Sequence, residues 1–130
     1  MKLIKSLFAI AVFFAMNTVS AQTLTNKWKQ MHDYHELLSK TFHPAEEGNL
    51  NPIKVSSEDL VARAELLDVE TMPQDLRTAK LDENINLLKK QTKVVSELIT
   101  RKAPNAEIMR AFQNLHDIFH TIVQMCEPGR

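Results

Sequence analysis

The 130-residue chain has only two glycines, Gly48 and Gly129, one cysteine, one tyrosine and one tryptophan, and its sixteen basic residues are balanced by sixteen acidic ones. Few glycines and no strand-like alternation of apolar and polar residues exclude a β-rich fold, because tight hairpin turns need residues that tolerate positive φ. A single cysteine, Cys126, excludes an internal disulfide framework. It reads as a small apolar residue at the end of a helix face, with a disulfide-linked homodimer or a metal thiolate as alternatives. Without a basic surplus, nucleic acid and anionic membrane are disfavoured as partners.

What is present begins with Lys2 and Lys5, an apolar run from Leu7 to Met16, and Val19-Ser20-Ala21 before Gln22. That order is the pattern of a secretory signal peptide over residues 1–21. The run breaks at Asn17-Thr18, short of the roughly 20 apolar residues a spanning helix needs, and no second such run follows, so no stable membrane anchor is expected. The expected mature protein is residues 22–130, one domain, periplasmic or secreted. It carries fourteen basic against sixteen acidic residues, near −2.

Apolar residues in this segment recur at helical spacing, which predicts an all-α antiparallel up-down four-helix bundle. Helix 1, 24–42, carries Leu24, Trp28, Met31, His35, Leu38 and Phe42 on one seam. A long link, 43–55, leads to helix 2, which opens at Ser56-Ser57 and closes before Met72-Pro73, with Leu60, Ala64 and Leu67 inward. Helix 3, 75–102, repeats the seam with Leu81, Ile85, Leu88, Val95 and Ile99. Helix 4, 106–126, follows Pro104-Asn105 and presents Ile108, Phe112, Leu115, Phe119, Ile122 and Cys126. The links after helices 2 and 3 are expected to be short.

The chemistry of this bundle is expected to reside in histidines. His32/His35 and His116/His120 stand three and four residues apart, so each pair shares a helix face. With residues 24 and 126 as facing ends, His35 lies opposite position 115 and all four imidazoles fall in a slab about 8 Å thick. Imidazole pairs on facing helices hold zinc or copper, with Glu36 and Asp117 as supporting carboxylates. His32 and His116 would converge if helix 4 lies on that flank of helix 1. Taken singly, each pair also reads as solvated, and His35 as a core histidine satisfied by Tyr34 or backbone. His43 falls roughly 12 Å from the slab; beside Glu46 and Glu47 it reads as a solvated helix end or as a second, weaker cation site.

The layout also resembles the four-helix periplasmic cytochromes of the b-562 and c-prime types. Met31 in "WKQMHDYH" and His120 in "DIFHTIV" stand where the b-562 type places its axial ligands, and "LSKTFHPAEEGNLNPIKVSSEDLVARAELL" is similar to the c-prime link between helices 1 and 2. The resemblance implies the bundle fold and, as an alternative cofactor, haem b with Met31 or His35 and His120 as axial ligands. No C-x-x-C-H occurs, so covalent haem attachment is excluded. Three functions are thus expected in order: a zinc- or copper-binding bundle, a b-type electron carrier, and a cofactor-free bundle that binds a protein partner. No nucleophile elbow, phosphate loop or glycosidase pair is present, and the expected role is non-enzymatic.

Overall fold

The structure, a computed structural model, describes residues 24–126. The proposed leader, residues 1–21, lies outside the described residues. Four long helices account for most of them: α1 Lys29–Glu46, α2 Asn51–Glu65, α3 Ala79–Thr100 and α4 Asn105–Met125, with a 3-10 turn at Gln74–Leu76. Among the described residues there is no strand, and no helix is long and apolar enough to cross a membrane. Each helix packs along the next one in the chain, whereas α1 and α4 meet along far fewer residues.

The core follows the periodicity of the sequence. Ile108, Phe112, Leu115, Phe119 and Ile122 are all buried on α4, and Leu81, Ile85, Leu88 and Val95 on α3. Ile99 is only partly buried, and its neighbour Leu98 takes the inner position at the last turn of α3. The start of α3 is capped by Thr78, whose side-chain oxygen accepts a hydrogen bond from the Leu81 amide at 3.0 Å, meeting one of the amides that a helix start leaves unpaired.

The links differ from expectation, with their lengths interchanged. The first is four residues, 47–50, not 43–55, because α1 runs through Pro44 to Glu46 and α2 starts at Asn51, ahead of Ser56-Ser57. Pro44 removes only one helical hydrogen bond in the last turn. The chain then reverses at once, with the Gly48 amide donating to the Ala45 carbonyl and the Asn49 amide to that of Pro44. Gly48 sits at φ +94°, a conformation that glycine adopts without steric cost. Pro52 falls in the first turn of α2, where its missing N–H would have no helical partner in any case.

The second link, 66–78, is long where a short one was expected. It is held by Thr71, whose hydroxyl donates to the Leu66 carbonyl at 2.9 Å and accepts from the Trp28 indole at 3.1 Å, while its amide donates to the Asp68 carboxylate. Leu67 and Met72 are buried beneath it.

The seam of α1 also differs by one position. Tyr34 is the fully buried residue, and His35 stands half-exposed at the seam's edge. The Thr92 hydroxyl donates to the Leu88 carbonyl, which leaves the Tyr34 hydroxyl to donate to Thr92 Oγ1 at 3.0 Å. A phenol can therefore be buried there with its polar end satisfied, and burial pushes its pKa up. The inner position goes to Tyr34, and His35 is turned toward α4.

Candidate functional site

Where α1 and α4 diverge they leave a groove of about 490 Å³. Leu38, Phe42, Phe119 and Val123 form its apolar walls, and its polar groups are His35, His43, Glu46, His116 and His120. Four of the five histidines in the chain thus line one groove.

Two of them are held by phenylalanines of the opposite helix. His35 of α1 stacks on Phe119 of α4 with ring centroids 4.9 Å apart and planes 3° from parallel. His116 of α4 stacks on Phe42 of α1 at 3.9 Å and 4°. Phe42 in turn meets the buried Phe112 edge-on at 5.2 Å. The two stacks cross the gap in opposite directions, each helix supplying one histidine and one phenylalanine. His120, one turn beyond His116, is exposed and stands edge-on to it at 4.4 Å.

Three of the four histidines expected to form the site, His35, His116 and His120, do share the groove; His32 does not. It lies in an adjoining shallow depression with Glu36 and Lys40, which shares His35 and Ser39 with the groove, its Nε2 3.8 Å from the Glu36 carboxylate. His32 and His116 do not converge, because α4 lies on the His35 and His43 flank of α1. Glu36 bonds Lys40 at 3.2 Å and faces away from the groove, and Asp117 is exposed and absent from its lining.

The expected separation of His43 from the other histidines is also corrected. His43 and Glu46 line the same groove as His116 and His120, their side chains 3.5 Å apart; Glu47 is exposed and outside it. The stacks of His35 on Phe119 and of Phe42 on His116 displace the expected register by roughly one to two helical turns. Residues 24–27 are helical as expected, and the helix is interrupted only at Trp28 (φ −128°, ψ 100°) before it continues from Lys29.

The surroundings of the two stacked imidazoles disfavour their protonation. Burial lowers the pKa of His35, and the neighbouring imidazoles of His32, His120 and His43 lower it further. Burial also lowers that of His116, joined by His120 and His43 and opposed by the carboxylates of Glu46 and Asp117. Both rings stay neutral below the ordinary histidine range, the state in which imidazole binds a metal.

The same shifts give the free protein a pH dependence. In the unfolded chain these histidines take up protons near pH 6.5, whereas in the folded chain they do so only at lower pH. The unfolded state therefore binds more protons in that window, and stability falls as pH drops from about 6.5 through the lowered values. Urea midpoints at pH 7.5 and 5.5 measure this: the expected result is a lower midpoint at pH 5.5, with the difference reduced in His35→Gln/His116→Gln. An equal or higher midpoint at pH 5.5 would contradict the burial of the two rings.

The soft donors lie elsewhere. Met31 is fully buried in the core and does not line the groove. Cys126 is half-buried against the core, and burial raises the pKa of its thiol. Among the described residues, no three His, Cys, Asp or Glu side chains are already arranged around a common point as a metal-ligand set. Sequence reasoning missed Phe42 and Phe119 as the groups that hold the histidines. Phe42 follows His35 by seven residues and so lies on the same stripe of α1, but that spacing says nothing of which helix it faces.

No protein-family model, no curated protein and no solved structure matches this chain.

Proposed function

We propose that the protein is an exported, non-enzymatic four-helix bundle, its helices arranged up and down, that binds a zinc or copper ion in the groove between α1 and α4. The observation that carries this reading is the gathering of His35, His116 and His120 in one groove, with the His116 and His120 rings 4.4 Å apart on successive turns of α4. A pair at that spacing is a ready bidentate unit, and His35 lines the same groove from the facing helix. The groove is open, which suits a protein that takes up and passes on its ion.

Haem b is the second reading, favoured by the apolar walls of Leu38, Phe42, Phe119 and Val123 and by the resemblance to the periplasmic cytochromes. Its axial ligands would come from the groove's histidines, because Met31 is enclosed in the core.

A visible spectrum with elemental analysis of the chain, exported and purified without a histidine tag, separates these readings. The expected result is near-stoichiometric zinc or copper with no Soret band. A Soret band would transfer the protein to the haem carriers. Protein that purifies free of both and takes up neither on titration would leave a bundle that binds a protein partner or a second copy of itself.

A further inference from the structure

His43 and Glu46 occupy the last turn of α1, on the same side of the groove as His35 and across from His116 and His120. We propose that they belong to the metal site itself, so that one divalent ion is held from both helices by His43 and Glu46 on one side and His116 and His120 on the other. This rests on the metal-binding reading above and names its ligands and the class of ion.

Three observations support it. The His43 and Glu46 side chains are 3.5 Å apart at an i, i+3 spacing, so they form a second bidentate unit facing the one on α4. Both residues and His120 are exposed and can rotate toward a shared ion, while His116 is held in place by its stack on Phe42. The last turn of α1 also presents the negative end of its helix dipole, which favours a cation there.

The donor set decides which ion fits. Three imidazoles and a carboxylate suit zinc(II) or copper(II), whereas copper(I) prefers thiolate and thioether ligands. Met31 and Cys126, which could supply such sulfur, do not line the groove. An ion bound in this way ties α1 to α4, which otherwise meet along far fewer residues than the helices that follow one another in the chain, and its binding free energy adds to stability.

The test titrates Zn²⁺, Cu²⁺ and, under reducing anaerobic conditions, Cu⁺ into the full exported chain against a chromophoric competitor. The same titrations are run on Glu46→Gln, His43→Ala and the control Glu47→Gln. The expected result is tighter binding of the divalent ions than of Cu⁺, weakened about 10-fold or more by Glu46→Gln and by His43→Ala and unchanged in Glu47→Gln. Circular dichroism should be the same for all four proteins, since the three substituted positions are exposed. Unchanged zinc affinity in Glu46→Gln and His43→Ala, in a chain that loses zinc with His116→Ala/His120→Ala, overturns this ligand set and leaves the metal-binding reading standing. A chain that takes up none of the three ions overturns both.

Discussion

If the groove holds a metal ion as proposed, replacing His116 and His120 together by alanine is expected to remove stoichiometric metal binding and to leave the helical content unchanged. The two residues are the one bidentate unit on α4, and without them no imidazole remains on that side of the groove. Loss of a group that only hydrogen-bonds and orients a metal ligand typically costs about 10–100-fold in affinity, so removing two direct ligands should exceed about 100-fold. The fold should tolerate the change. His120 is exposed, His116 is half-exposed, and alanine is the better helix former at both positions. What the free protein loses is the stack of His116 on Phe42. Isothermal titration with Zn²⁺ and far-ultraviolet circular dichroism measure the two halves of this prediction. Retention of stoichiometric zinc by a well-folded double variant would remove the groove as the metal site.

Phe112→Ala has the largest expected effect on stability. The ring is fully buried on α4 and supports Phe42 edge-on, and Phe42 supports His116. Emptying such a position costs about 3–5 kcal/mol through lost transfer energy and the cavity left behind, a large share of the 5–15 kcal/mol that holds a domain together. Phe112→Leu, which keeps most of the volume, should cost much less. Denaturant titrations of both variants give the two values. The position of Phe112 under the groove predicts a second effect: in whatever fraction of Phe112→Ala remains folded, zinc affinity falls, because the base of the His116 stack has loosened. A loss below about 1 kcal/mol for alanine would show that the core does not depend on this ring.

Much of the fold was legible in the sequence because burial imposes a period. The five buried positions of α4 and four of the buried positions of α3 follow from spacing alone, since a helix with a dry stripe must repeat apolar residues every three or four positions. The links were less legible. Proline signals an interruption in either direction, so Pro44 and Pro52 read as loop, although one ends a helix and the other opens the next. The length of the 66–78 link depends on bonds that Thr71 makes with Trp28, 43 residues away, and no local pattern encodes such a partner.

The site was legible in its residue types and not in its membership. The sequence alone showed that histidine was the reactive residue available, that His116 and His120 shared a face, and that sulfur chemistry was confined to one cysteine and the methionines. Which histidines meet was decided by two tertiary features: the side of α1 on which α4 lies, and the choice of Tyr34 over His35 for the core. The side left His32 in an adjoining depression and brought His43 with Glu46 into the groove. The choice of Tyr34 turned His35 to the groove edge. The physical reason is that a side chain's face along its own helix follows from a 100° turn per residue, which is local. Its height and its partner across a gap depend on where both helices begin and how they pack, and those are properties of the whole fold.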